Sequence, residues 1–240
     1  MNTLFDRRTN PVGSFRCRAV HRSAAAFTLM ELMAVTAIIA ILAAVAMPGL
    51  QAAIRAAQMN AAMQNAKQLG MGLRAWANDF DGMFPGTVHP VTEEEFSNSN
   101  EVFRLLIVDY IDTERIFSVG ASAWGPRADG RIEEESDRLR AGENHWAYIA
   151  GLTTASRSDW PLVVDGTDGS GKYNRKPGTK GGTWEGRKGI VVRIGGSAEA
   201  VPLKGDDDAR FLPRVGYDEE NALEVGAYMG DLARLLDPEG

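Results

Sequence analysis

One cysteine and three histidines are all that the 240 residues hold of the side chains that most often build disulfides and metal centres. With Cys17 alone the chain cannot close an internal disulfide or assemble a cysteine-ligated metal site. His21, His89 and His145 are isolated in the sequence, so their spacing supports neither a zinc motif nor a nucleophile–base pair. Positive charge is scarce as well. Residues 1–26 carry five arginines against Asp6, a balance of +4, and the overall −6 therefore leaves −10 on the remainder. That excess argues against nucleic acid as a main partner, because phosphate contacts need a clustered basic surface. The one local basic stretch, Lys172, Arg175, Lys176, Lys180, Arg187 and Lys188, is interrupted by glycine and proline and reads as a solvated loop. Gly166 to Lys172 has the spacing of a phosphate-binding loop, but Tyr173 stands where a Mg²⁺-binding Ser or Thr is needed. Pro177 and three glycines in 174–182 then leave no helix N-terminus for a phosphate, so the segment reads as a turn.

Charge is absent altogether from Leu32 to Met47. A bilayer-crossing helix needs about 20 mostly apolar residues, and the run reaches that length only by including Phe27 to Met30 and with them Glu31. A carboxylate within a span is expensive and points to function. Thr28 and Glu31, three apart, also fit a capping box at a helix start. The arginine-rich flank before the span should stay cytoplasmic. An ordinary secretory signal is the rival reading, with Ala44-Val45-Ala46 as its cleavage site. Against it, Leu50, Ile54, Ala57, Ala61, Leu69, Leu73, Trp76 and Phe80 recur at three- and four-residue steps, so the helix continues as an amphipathic rod. Pro48-Gly49 should kink or loosen it. Ala52, Ala53, Ala56, Ala57, Ala61, Ala62, Gly70 and Gly72 would allow close approach, either of neighbouring helices or of the chain's own domain.

The stretch AAA-FTLMELMAVTAIIAILAAVAMPGL, residues 24–50, resembles the cleavage and methylation motif of type IV pilins and type II secretion pseudopilins. The resemblance implies a membrane peptidase that cuts between Ala26 and Phe27 and methylates the new Phe27 amine. It further implies that Glu31 meets the Phe27 amine of a neighbouring subunit and sets filament register. Ala26 stands where this family usually has glycine. The Asn78-Asp79-Phe80-Asp81-Gly82-Met83-Phe84-Pro85 turn, and the stretch from Gly181 to Glu199, are similar to the major pseudopilin group.

The expected fold is α+β and pilin-like: a long N-terminal helix, half transmembrane and half amphipathic, packed on a small C-terminal antiparallel sheet domain. Its parts are a leader 1–26, a helix 27–79 with a span at about 28–48, and a globular domain 80–240. Within that domain 99–111 reads as a short helix capped by Ser99 or Asn100. Arg131 to Arg140 is open between loop and a solvated helix. Trp146 to Ile149, Leu162 to Val164, Gly189 to Ile194 and Ala198 to Leu203 read as strands, with Gly195-Gly196 as a hairpin turn. Asn221 to Leu236 reads as a terminal helix. No catalytic residues are expected. The resemblance makes calcium the one cofactor to weigh, held by Asp165 with Asp168 or by Asp206, Asp207 and Asp208 through hard oxygen ligands.

The expected function is a structural subunit of a type II secretion pseudopilus. A type IV pilus subunit serving adhesion, motility or DNA uptake, and a secreted soluble domain, stand as alternatives. Implied partners are other pilin-like subunits in a filament, the prepilin peptidase and an inner-membrane assembly platform. The N-terminus would be cytoplasmic and the C-terminal domain extracytoplasmic on a single-pass inner-membrane anchor.

Overall fold

The computed structural model describes residues 27–207 and 209–239. The expected leader, with Ala26 and Cys17, lies outside them, as does Asp208. The chain falls into two compact units that meet in sequence at Pro48 and Gly49.

Within the first unit lies the start of helix α1, Leu29–Asp79. Every described residue of this unit is exposed. An 18-residue window of the helix has a mean hydropathy of 2.4, so α1 is long and apolar enough to cross a membrane. The helix passes through Pro48 without interruption. Proline nonetheless has no N–H to offer the carbonyl one turn back.

In the second unit α1 acquires a covered face. Ala62, Ala66, Leu69, Leu73, Trp76 and Ala77 are buried at three- and four-residue steps. The expected stripe began too early: Leu50, Ile54, Ala57 and Ala61 are exposed, and the first α1 side chain packed on the core is the half-buried Met59. The helix ends where Asp81 turns left-handed (φ 50°) and the Gly82 N–H bonds back to the Ala77 carbonyl at 2.7 Å, a closure that Asp and Gly tolerate well.

Five antiparallel strands form the main sheet in the order β4-β3-β2-β1-β7: β1 Trp146–Ala150, β2 Pro161–Asp165, β3 Lys188–Arg193, β4 Ala198–Pro202 and β7 Arg234–Leu236. Two short strands, β5 Pro213–Arg214 and β6 Tyr217–Asn221, pair separately. β1 and β2 are buried along their whole length, which is why both read as unbroken apolar runs rather than alternating ones. Val163 faces Tyr148 on one side and Val192 on the other. Gly196, at φ 88°, turns β3 into β4. A Cβ on Gly70 would stand 2.7 Å from Val192 Cγ1, and one on Gly72 would stand 2.8 Å from Ile111 Cγ1. These two small residues therefore serve the chain's own domain.

Two expectations need correction, and one segment left open is resolved. The helix over 99–111 is only α2, Ser99–Arg104, and its cap is Asn98, whose side chain accepts the Glu101 N–H at 3.2 Å. Ser99 and Asn100 are instead buried, bonding the Trp146 carbonyl and the Leu139 and Arg140 carbonyls. Arg131 to Arg140 holds one 3₁₀ turn, Glu135–Asp137, with loops around it. The N–H groups of Gly130, Arg131 and Leu139 go to the Glu114 carboxylate, so they need no helix. The terminal helix is absent: Val225–Ala227 is a 3₁₀ turn and Arg234–Leu236 is strand β7, paired to Tyr148–Ala150. Gly226 and Gly230 weaken a helix there, while the open edge of β1 offers backbone partners.

Candidate functional site

Thr28 and Glu31 form a reciprocal cap at the start of α1. The Thr28 N–H and hydroxyl donate to Glu31 Oε2 at 2.9 and 3.0 Å, and the Glu31 N–H donates to Thr28 Oγ1 at 3.2 Å. Orphan donors of the first turn are thereby satisfied from within the segment. Both Thr28 bonds fall on one carboxylate oxygen; Oε1 has no hydrogen-bond partner among the described residues. Phe27, four residues earlier, is exposed, and so is the Glu31 side chain.

Of the aspartates weighed for calcium, Asp165, Asp168 and Asp207 are engaged by protein donors. Asp165 is buried between β2 and β3, accepts the Ile190 N–H at 2.8 Å, and burial pushes its carboxyl up to about 7. Asp168 is exposed and accepts from the backbone and hydroxyl of Ser170 and from the Lys172 N–H. Asp207 is shared by Arg210 and Arg175 at 2.9 and 3.0 Å, and these guanidiniums hold it below the usual carboxylate range.

The carboxylates that do converge are others. Oxygens of Glu114, Asp129 and Glu143 lie within 4.8 Å of one another. Glu114, fully buried, takes three backbone N–H bonds; burial raises its pKa despite them. Asp129 and Glu143 accept the Arg131 and Arg140 N–H groups respectively. The cluster ties the 129–143 loops to the 3₁₀ turn at Glu114–Phe117. Its members are 15 and 14 residues apart on a 3₁₀ turn and two loops, so no helix or strand pattern in the sequence pointed to it.

The histidines stay apart. His89 Nδ1 accepts from the Val91 and Thr92 N–H groups. His145 is buried beside Trp124, its ring nitrogens are without hydrogen-bond partners among the described residues, and burial pushes its pKa down to about 4. The Gly166–Lys172 loop is pinned through Thr167 to Asp237, and no helix follows it.

An apolar, capped N-terminal helix whose later turns pack on a five-stranded antiparallel sheet is an α+β architecture of the pilin-like kind. Residues 21–47 match the family described as the prokaryotic N-terminal methylation motif, a stretch that contains Ala26, Phe27 and Glu31. No curated protein and no solved structure matches the chain. The motif supports a type IV pilin-like subunit processed by a prepilin peptidase and anchored in the membrane through its N-terminal helix.

Proposed function

We infer that the chain is a structural subunit of a type II secretion pseudopilus. Residues 1–26 are removed, Phe27 becomes the N-methylated terminus, and the subunits polymerise through α1. The observation that carries this reading is Glu31, an uncompensated carboxylate inside an apolar helix with one oxygen left free by its cap. Its partner is the Phe27 amine of a neighbouring subunit, which exists only after cleavage. The pair would satisfy a charge that lipid alone cannot. Exposed Ala52, Ala53, Ala56, Ala57 and Ala61 leave α1 open to close approach by neighbouring helices.

In this reading the globular domain is extracytoplasmic, the anchor lies in the inner membrane, and the partners are the prepilin peptidase, an assembly platform and other pilin-like subunits. Local unwinding at Pro48–Gly49 belongs to assembly. A signal-peptide cut after Ala46 is disfavoured by the continuity of α1 through that point. The pseudopilus is preferred over a surface pilus because no cysteine is left after residue 17 to staple the C-terminal region, and because of the β3–β4 hairpin. Removing the protein from its host should block release of an exported protein and leave surface fibres unchanged. Loss of surface fibres with normal export would place it in a pilus instead.

A further inference from the structure

Two surface features of the second unit are complementary in relief and charge. Where α1 first becomes covered, Arg55, Met59, Ala121, Trp184, Arg187 and Lys188 line a groove of about 350 Å³. Its floor is apolar, with Trp184 nearly buried. Its rim is positive: Arg55 and Arg187 share the single carboxylate of Glu185 at 3.4 and 3.3 Å, and Lys188 is exposed beside them.

The loop that follows α1 carries an acidic knob. The loop after α1 is fastened by the Tyr148 hydroxyl to the Pro85 carbonyl at 2.7 Å and closed by the Val88–Glu95 bridge. His89 Nδ1 accepts two tip N–H groups, and Glu93 turns left-handed at φ 59°. At the apex Val91 is 83% exposed, the highest value among the large apolar side chains described. Glu93, Glu94 and Glu95 follow, all exposed; only Glu95 has an ion pair among the described residues, to Arg234. Between Met59, at the groove, and Asp79, ahead of the knob, α1 rises about 30 Å, and Val91 is not among the groove's lining residues.

We propose that the Val91 knob of one copy seats in the Trp184 groove of the next, with Glu93 and Glu94 against Arg55, Arg187 and Lys188. The occupant is a second copy of this chain, and the contact rests on the subunit reading above. A surface that binds a different surface of an identical copy is heterologous and repeats without limit, as a filament requires. The tip is tied by the two bonds to His89, so docking loses little conformational freedom. An apolar anchor in a pocket supplies the energy, and the charges supply orientation.

The test uses the full chain in membranes of cells that assemble it, in a Cys17→Ser background. Two substitutions, Val91→Cys and Ala121→Cys, are placed in one chain and the membranes are treated with a mild oxidant. The expected result is a ladder of dimers, trimers and higher species. Co-production of the two single variants should stop at dimers. Arg187→Glu should abolish the ladder, and adding Glu94→Lys should restore it. Filaments seen by electron microscopy without a ladder, a ladder indifferent to Arg187→Glu, or Val91–Val91 dimers would each overturn the contact and leave the subunit reading standing. Crosslinks only to a protein of different mass would overturn the second copy as occupant. Absence of filaments from the Cys17→Ser parent would count against the subunit reading and remove this contact with it.

Discussion

Thr28 and Glu31 meet through a single carboxylate oxygen: the Thr28 N–H and hydroxyl both reach Oε2, at 2.9 and 3.0 Å, and Oε1 is left open. Capping and subunit pairing therefore do not compete for the same atom. Glutamine at this position keeps the cap geometry and loses the charge. Glu31→Gln and Glu31→Ala should both insert into the membrane, and both should fail to enter filaments. Loss of the cap in the alanine variant adds about 1 kcal/mol of local destabilisation. Normal filaments from Glu31→Gln would reduce Glu31 to a cap.

Asp165 makes the stability of the second unit fall with rising pH. Its folded pKa of about 7 lies above the ordinary carboxylate value of 3.8. The folded state thus holds the proton more tightly, and stability is lost as pH climbs from about 4 to 7. His145 acts oppositely: its pKa of about 4 against 6.5 removes stability as pH falls through that range. The two slopes oppose each other between about pH 4 and 6.5. Asp165→Asn isolates the first: it should melt near wild type at pH 4 and gain on it by up to roughly 4 kcal/mol by pH 8. Melting curves with a constant difference across this range would refute the assignment.

Gly70→Ala should destabilise although alanine is the better helix former. The added methyl lies 2.7 Å from Val192 Cγ1, in a β-branched side chain held within the sheet. Overpacking of this kind costs about 1–3 kcal/mol, more than the roughly 1 kcal/mol gained in helix propensity. In a Val192→Ala background the sign should reverse. Denaturant titration of the four variants measures both effects.

Glu114→Ala should loosen the 129–143 loops, because three backbone N–H groups lose their shared acceptor. The Leu139 N–H is buried and loses its acceptor outright, at a cost of about 1–3 kcal/mol, whereas Gly130 is exposed and the Arg131 N–H keeps Asp129 Oδ1 at 2.9 Å. Amide exchange should accelerate most at Leu139, then at Gly130, and least at Arg131, and Glu114→Gln should retain part of the protection. Unchanged exchange at all three would show that the loops are held by other contacts.

The first four strands were legible because each is a short apolar or β-branched run bounded by turn residues, and the long helix because its apolar spacing persists over many turns. β7 was not legible. Arg234–Leu236 is three residues long, and the leucines and valine of 221–236 imitate helical spacing while β1 supplies their neighbour. The early exposed stretch of α1 misleads for the opposite reason: Leu50 and Ile54 keep the helical period but are left exposed. The Thr28–Glu31 cap was visible at three-residue spacing, whereas the Glu114–Asp129–Glu143 cluster is assembled only by loop geometry.

The central claim is that removal of the leader creates the amine that Glu31 recognises. Mass spectrometry of the membrane-extracted protein measures it directly. The account predicts a chain beginning at N-methylated Phe27, and a chain beginning at Met47, or one retaining residues 1–26, would contradict it.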